Sequence, residues 1–243
     1  MGELFAKDYT GAPFELFGTP HVIALILVAL GNFALVFARR ANSSARRTLR
    51  YGLAIVLIVN ETAWHVWNLS VGLWTPQTML PLHLCSVMVW VSAFMLLKEN
   101  YALYEYIYFL GIGAATQALL TPDAGIYGFP HFRFWQTMIS HGTIVASAVY
   151  MTVVEGYRPH WRSLVRVFVF GNVYMLLVSL VNWLLGSNYM FIARKPDTPS
   201  LIDVLGPWPW YILSLEGIAL VVCLLLYLPF AICDWRARPV EAR

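Results

Sequence analysis

Long apolar runs constrain the fold of this chain more than any other feature of its sequence. A membrane-spanning helix needs about 20 mostly apolar residues, and seven runs approach or exceed this length. Only 12% of the residues are charged, against about 25% in an average soluble domain. The sequence therefore predicts an all-α, polytopic membrane protein, a bundle of seven transmembrane helices forming a single domain, 1–243. The predicted spans are about 19–38, 49–73, 81–97, 102–120, 132–154, 164–186 and 207–232.

The distribution of basic residues predicts the orientation of the spans. Cytoplasmic loops carry an excess of Lys and Arg. Alternating loops place twelve of the 16 basic residues on one side and four on the other. The larger set is Arg39, Arg40, Arg46, Arg47, Arg50, Lys98, Arg158, Arg162, Arg166, Arg236, Arg238 and Arg243, and the smaller set is Lys7, Arg133, Arg194 and Lys195. The sequence thus predicts an N-terminus outside the cell and a C-terminus in the cytoplasm.

Charge and cysteine content exclude several classes of protein. The formal net charge of +3 is too small to indicate a nucleic-acid partner. Three cysteines, widely separated along the chain, do not predict a disulfide framework. Glu3, Asp8 and Glu15 precede the first apolar run, whereas a cleaved signal peptide begins with basic residues. We therefore expect a multi-pass protein of the cell membrane.

Polar side chains gather at one depth of the predicted bundle. Ionisable groups inside a span are costly, so they usually face the bundle interior. At 1.5 Å per residue, most of these groups fall in a layer about 15 Å thick in the outer half. The group consists of Cys85, His141, Glu61, His65, Asn68, His83, Ser86, Gln117, Asn182 and Glu216. The sequence predicts a polar cavity that opens toward the outer side or the outer leaflet.

Cys85 and a histidine are the candidate catalytic pair in this cavity. If Pro81 begins the third helix, Cys85 lies just past its first turn, where the helix N-terminus gives a little help to a thiolate. His83 and Cys85 point to different faces of a helix, so the base must come from another span. His141 and His65 are the candidates at matching depth. Glu61 or Glu216 would orient the imidazole in the manner of a catalytic triad, and Ser86 is a competing nucleophile.

The same residues have structural interpretations. Intramembrane Asn and Ser often bond between helices, Glu61 and His65 can pair within one helix, and a membrane cysteine is often only a small apolar residue. The His, Cys and Glu side chains also include enough donors for a zinc site. No compact metal motif, phosphate loop, dinucleotide fingerprint or haem motif is present. The sequence therefore predicts neither a metal nor a cofactor.

Four short segments carry a resemblance to a known family. "LPLHLCSV" at 80–87, "SHG" at 140–142, "NYMFIARKP" at 188–196 and "GPWPWYI" at 206–212 resemble the YwaF-type bacterial integral-membrane family. That family is similar to a eukaryotic multi-span acyltransferase that moves acyl chains between phospholipids through a cysteine. More distantly, it resembles the androgen-induced-gene hydrolases, which cleave fatty-acid esters with a threonine and a histidine.

The resemblance implies a lipid acyltransferase or lipid-ester hydrolase in a bacterial inner membrane. Cys85 would match the acyl-accepting cysteine and His141 its partner histidine, although the hydrolases have threonine where this chain has cysteine. Membrane lipids would be both acyl donor and acceptor, and Arg194 and Lys195 would meet a phosphate headgroup. Two other functional classes also fit the sequence. One is a transporter or receptor for a small polar solute, and the other is a non-catalytic membrane assembly protein.

Overall fold

The computed structural model describes residues 2–196 and 201–237, and within them the regular structure is entirely helical. The α-helices are α1 (Thr19–Ala38), α2 (Ser43–Ser70), α3 (Leu84–Lys98), α4 (Tyr101–Tyr106), α5 (Ile112–Leu120), α6 (Phe132–Val153), α7 (Trp161–Leu185) and α8 (Trp210–Ala237). A π-helical segment, Ile107–Gly111, joins α4 to α5 without a break. We treat α4, the π-helical segment and α5 as one continuous rod. The described residues then confirm the seven predicted helices in the predicted order.

Several helices begin a few residues away from the predicted positions, and the shifts are largest or most informative for α2 and α3. The side chain of Asn42 accepts a hydrogen bond from the Ala45 amide at 2.8 Å, so α2 begins at Ser43 rather than near residue 49. An Asn at this position satisfies an otherwise unpaired amide of the first turn. α3 begins at Leu84, because Pro81 lies in the preceding turn. The prediction that Pro81 is the first helical residue was wrong.

Three of the described helices are long and apolar enough to cross a membrane by length and composition alone. They are Thr19–Ala38, Trp161–Leu185 and Trp210–Ala237, and α3 is a shorter apolar helix. The remaining rods carry buried polar residues, among them Glu61 of α2 and Gln136 of α6. Such residues lower the mean hydropathy of a helix while facing the protein interior. Together, the apolar helices support a multi-pass membrane protein.

The chain divides into two compact units, Met1–Tyr157 and Arg158–Arg243. In the first, α6 is central and packs against α1, α2, α3 and α5. Small residues permit this close packing of helices. A Cβ atom added at Gly142 of α6 would lie only 2.9 Å from a methyl group of Val28 in α1. The prediction of a single domain stays a prediction.

Charged side chains tie three helices together at one end of the first unit, which we call the arginine end. It consists of the α1–α2 turn, the first two turns of α2, and residues 98–101 and 153–157. Arg50 forms an ion pair with Glu99, and Arg46 forms one with Glu155 at 3.0 Å. The Tyr150 hydroxyl lies 2.6 Å from Glu155 Oε1. These contacts fix the register of α2 against α3 and α6.

Residues 2–18 cover the opposite end of the first unit, and we call them the N-terminal strap. The Trp67 indole donates to the Phe5 carbonyl oxygen at 3.0 Å. The fully buried His131 ring contacts the Ala6 carbonyl oxygen through Nε2 at 3.1 Å. The Tyr127 hydroxyl donates to the Lys7 carbonyl oxygen at 2.9 Å. The strap is therefore held by its main-chain carbonyl groups.

In the second unit, polar side chains close the end of α7. The Asn182 side chain donates to the Tyr189 carbonyl oxygen at 2.9 Å and accepts from the Tyr189 amide and the Ser187 hydroxyl, each at 2.8 Å. Gly186 follows α7 with φ at 65°, a left-handed conformation that glycine adopts without a steric penalty. This network turns the chain away from the helix axis.

Candidate functional site

Cys85 is the second residue of α3 and is half-buried. The helix begins at Leu84, so Cys85 lies within the first turn rather than just past it as predicted. The first amide bonded within α3 is that of Val87, which donates to the His83 carbonyl oxygen. The Cys85 and Ser86 amides thus keep their hydrogens free of any partner among the described residues. Free amides and the helix dipole favour negative charge at this position.

The ion pairs of the arginine end allow the depths of Cys85 and Glu61 to be compared. Glu61 lies eleven residues along α2 from Arg50, about 16 Å at 1.5 Å per residue. Cys85 lies fourteen residues along α3 from Glu99, the partner of Arg50, which is about 21 Å. The two residues are therefore at similar depth. The Glu61 carboxylate is also close enough to act electrostatically on Cys85.

His141 lies at a comparable depth on α6. It precedes Glu155 by fourteen residues, which is about 21 Å. Glu155 pairs with Arg46 of α2. Arg46 precedes Arg50 by four residues, which is about 6 Å along α2. On this common scale Glu61 and His141 lie at one level, and Cys85 lies about one helical turn nearer the strap, on a helix that packs against α6.

The main chain orients the imidazole of His141. Its Nδ1 lies 2.8 Å from the Thr137 carbonyl oxygen. A carbonyl oxygen only accepts, so Nδ1 carries the proton of the neutral ring and Nε2 keeps its lone pair. The carboxylate that the sequence predicts as the orienting group is replaced by a carbonyl of the same helix. Nε2 is thus the atom that is able to take a proton.

Cys85 and His141 make no hydrogen bond to each other in the described structure. Among the described residues, the His141 side chain bonds only to the Thr137 carbonyl oxygen, and the Cys85 side chain makes no hydrogen bond. Both side chains are half-buried. In unliganded sites, catalytic groups often lie farther apart than in the reacting complex. The two residues lie within about one helical turn of each other in depth and are not in contact.

Glu61 and His65 form a pair within α2. His65 Nε2 lies 3.7 Å from Glu61 Oε1, and the Trp74 indole donates to His65 Nδ1 at 3.1 Å. An accepting Nδ1 leaves the proton of the neutral ring on Nε2, where it points to the carboxylate. His65 is therefore occupied at both nitrogens and is less available as a base than His141. Glu61 itself is buried, at 3% exposure.

Arg133 also belongs to this group, although the sequence indicates only a flanking charge. Its guanidinium lies 4.0 Å from the centre of the Trp64 ring, bonds to Gln136 Oε1, and acts electrostatically on Glu61. Arg133 is the second residue of α6, where the helix dipole disfavours a cation. The sequence did contain a signal for this arrangement. A cation at a predicted helix start needs neighbouring anions or aromatic rings to stabilise it.

Several other predicted residues have partners elsewhere. Asn68 donates to the Trp64 carbonyl oxygen of its own helix at 2.8 Å. Gln117 is exposed and donates to the Thr121 hydroxyl at 2.7 Å. His83 is the residue before α3, and Ser86 is half-buried beside Cys85.

The remaining four predicted residues lie in the second unit. Glu216 accepts from the Asn172 side chain at 3.1 Å, and Asn182 closes α7 as described above. The Lys195 ammonium donates to the Asp203 carbonyl oxygen at 3.2 Å, and Arg194 is exposed. Each of them therefore has a separate local environment.

The described residues show no metal cluster, and a groove beside α3 is apolar. Among the described residues, no group of three His, Cys, Asp or Glu side chains is arranged to hold a metal ion. A groove of about 550 Å³ between α2, α3 and α4 has an apolar lining that includes Trp90, Ala93 and Phe94. Phe94 follows Cys85 by nine residues, which is half a turn around the helix. This groove is on the other face of α3 from the thiol.

Comparison with known proteins gives one result. The TMEM164 family model matches residues 16–227, which includes α1 to α7 and most of α8. This is a different membrane family from the YwaF-type family that the four motifs resemble, and the match carries no statement of acyltransferase or hydrolase activity. No curated protein and no solved structure matches the chain.

Proposed function

The chain belongs to the TMEM164 family of membrane proteins, and from this premise we propose that it is a lipid acyltransferase or lipid-ester hydrolase. Cys85 is the nucleophile and His141 is the base. The observation that carries the proposal is the bond from His141 Nδ1 to the Thr137 carbonyl oxygen. It leaves Nε2 as a proton acceptor within about one helical turn, in depth, of a cysteine on a helix N-terminus.

The reaction begins when an ester carbonyl of a membrane lipid reaches the level of Cys85. His141 Nε2 takes the thiol proton, and the thiolate sulfur bonds to the carbonyl carbon. The negative charge moves to the carbonyl oxygen, and the amides of Cys85 and Ser86 are placed to donate to it. The carbon–oxygen ester bond then breaks, and the leaving alcohol takes the proton from His141. The products are an acyl thioester on Cys85 and a lysolipid.

The second half of the reaction reverses these roles. His141 removes a proton from an incoming hydroxyl, whose oxygen attacks the thioester carbonyl, and the Cys85 thiolate leaves and is protonated. A lysolipid acceptor makes the protein a transferase, and water makes it a hydrolase. Arg194 and Lys195 are basic, and we propose that they bind a phosphate headgroup through charge-assisted hydrogen bonds.

Two amide side chains that could donate to the oxyanion, those of Asn60 and Asn182, have other partners. Asn60 donates to the Gln136 carbonyl oxygen at 3.0 Å, and Asn182 is bonded within its own turn. Neither side chain is as free to stabilise the oxyanion as the amides of Cys85 and Ser86. Ser86 remains the competing nucleophile, because its hydroxyl has no bond among the described residues.

The test is to trap the acyl-enzyme. Purified protein in detergent is incubated with a phospholipid that carries an isotopically labelled acyl chain, and its intact mass is measured. We expect one added acyl group on Cys85, removable by hydroxylamine and absent in Cys85→Ala. In His141→Ala the rate of acylation should fall by about 10²- to 10⁴-fold, the usual contribution of a general base. Cys223→Ala is the matched control, because Cys223 is a buried cysteine of the second unit, and it should acylate normally.

Other outcomes would change the assignment. Labelling that persists in Cys85→Ala and disappears in Ser86→Ala would move the nucleophile to Ser86. A folded wild-type protein that is never acylated, by phospholipid or by an acyl-reactive thiol probe, would contradict the proposal. Thermal stabilisation by a small polar solute would then favour a transporter or receptor.

A further inference from the structure

Three arginines at the arginine end have no partner for their charge among the residues that the structure describes. Arg39, Arg40 and Arg47 are exposed, and no ion pair or side-chain hydrogen bond involves their side chains in the described part of the chain. Arg46 and Arg50 beside them are different, because Glu155 and Glu99 neutralise them. The surface around the α1–α2 turn therefore carries an excess positive charge that no described residue compensates.

The backbone holds these three arginines in a short and ordered segment. Only residues 39–42 separate α1 from α2, and the amides of Arg39 and Arg40 bond to carbonyl oxygens of the last turn of α1. The cap formed by Asn42 then starts α2. The ion pairs of Arg46 and Arg50 fix the first two turns of α2 against neighbouring helices. The arginines project from a rigid support rather than from a loose loop.

The surface lies at the boundary of the hydrocarbon layer. Arg39 follows directly after α1, one of the helices long and apolar enough to span a membrane. Phe33 and Phe37, in the last two turns of α1, are each 63% exposed, as side chains that face lipid would be. Because the apolar surface ends where the arginines begin, the arginines lie at the level of the lipid headgroups.

The geometry points to a binding surface for anionic phospholipid headgroups, formed by Arg39, Arg40 and Arg47. Each guanidinium presents several N–H donors in a planar fork that matches two oxygens of a phosphate. The occupant is a lipid of the adjacent leaflet, because the arginines and the lipid phosphates share one plane. This inference is independent of the reaction proposed for Cys85.

The experiment measures lipid retention by native mass spectrometry. Wild-type protein in a neutral detergent is titrated separately with phosphatidylglycerol and with phosphatidylcholine. We expect wild type to retain phosphatidylglycerol preferentially. The triple variant Arg39→Gln, Arg40→Gln, Arg47→Gln should lose about fivefold in affinity for each arginine removed, or roughly a hundredfold in total. Its affinity for phosphatidylcholine should change little.

A second triple variant separates a local surface from general charge. Arg162→Gln, Arg166→Gln and Arg236→Gln remove the same number of charges from α7 and α8. If this variant loses phosphatidylglycerol as strongly as the first, or if wild type shows no preference, the proposed surface is wrong. The Arg→Lys triple variant at 39, 40 and 47 preserves charge and topology signals but lacks the planar fork. It should still prefer phosphatidylglycerol, with an affinity between those of wild type and the Gln variant, and a Lys variant that binds as tightly as wild type would contradict the role of the guanidinium groups.

Discussion

At the scale of single residues, the first unit satisfies its polar groups largely through main-chain carbonyl oxygens. His141 and Asn68 each contact a carbonyl oxygen of their own helix, and His131 contacts that of Ala6. Since a carbonyl only accepts, each bond fixes which side-chain atom carries hydrogen. These bonds therefore determine the tautomers as well as the positions of the side chains.

Tyr150→Phe tests a hydroxyl that contacts both Arg46 and Glu155 at the arginine end. That hydroxyl lies 2.6 Å from Glu155 Oε1 and 2.8 Å from the Arg46 carbonyl oxygen, and Tyr150 is fully buried. A hydrogen bond to a charged group contributes about 1.5–3 kcal/mol, so we expect the free energy of unfolding to fall by about 2 kcal/mol. Denaturant titration in detergent measures it. Tyr51→Phe removes an exposed hydroxyl and should change the free energy of unfolding little.

The same cluster predicts how stability depends on acid. Burial alone would raise the pKa of Glu155, but the Tyr150 hydroxyl and the charges of Arg46 and Arg50 outweigh it and hold this pKa below its usual 4.5. A carboxyl with a lowered pKa in the folded state stabilises the fold above the unfolded-state value and loses this contribution as pH falls through the folded-state value. Stability should therefore decline below about pH 4.5. The decline should be smaller in Glu155→Gln, and the free energy of unfolding as a function of pH measures it. Identical pH profiles for wild type and Glu155→Gln would contradict the role given to the Glu155 carboxyl.

At the scale of elements, the contact between the strap and the 121–131 loop depends on a missing side chain. A Cβ atom added at Gly128 would lie 2.3 Å from the Ala12 carbonyl oxygen and 2.6 Å from that of Pro13. Main-chain atoms cannot rotate away as a flexible side chain does. The close approach of the two segments therefore requires glycine at this position.

Gly128→Ala should loosen the strap while leaving the helices folded. Overpacking of this kind typically costs about 1–3 kcal/mol, and we expect it to appear as faster hydrogen exchange at residues 2–18. Mass spectrometry of peptides from the exchanged protein gives the readout. Gly52→Ala is the control, since no atom lies within 4 Å of its added Cβ. Unchanged exchange in the strap would mean that the strap is not held by this contact.

Helix positions followed from the sequence more readily than contacts did. Apolar runs predicted all seven rods, because the period and length of a run depend on local residues alone. The start of α3 was misjudged, since Pro81 suits both a turn and a first helical position. The pairing of Glu61 with His65 could be predicted, because residues four apart share one face of a helix. The interaction of Arg133 with Trp64 could not be predicted, because it joins residues far apart in the sequence.

At the scale of the whole molecule, the N-terminal strap and the arginine end lie at opposite ends of the first unit. α1 runs from one to the other, and it is a candidate membrane span. If the basic loops are cytoplasmic, as the distribution of Lys and Arg predicts, the strap faces outward. The level of Cys85 is then nearer the outer side.

Cysteine labelling measures this orientation. In a background without Cys85, Cys223 and Cys233, single cysteines replace Lys7 in the strap and Ser44 at the start of α2, both exposed. A membrane-impermeant maleimide applied to intact cells should label Lys7→Cys, and should label Ser44→Cys only after permeabilisation. The reverse pattern would invert the predicted topology, and equal labelling of both positions from outside would contradict α1 as a span.

The pairing of Arg50 with Glu99 has a consequence for how relatives of this chain can vary in length. This ion pair fixes the C-terminal end of α3. The position of the Cys85 thiol therefore depends on the number of residues between Cys85 and Glu99, and not on the length of the turn that precedes α3. Residues inserted between Ser70 and Pro81 would enlarge a surface turn and leave Cys85 where it is. One residue inserted between Cys85 and Glu99 would rotate the thiol by about 100° and shift it by about 1.5 Å. Insertions and deletions should therefore be tolerated in the first interval and selected against in the second.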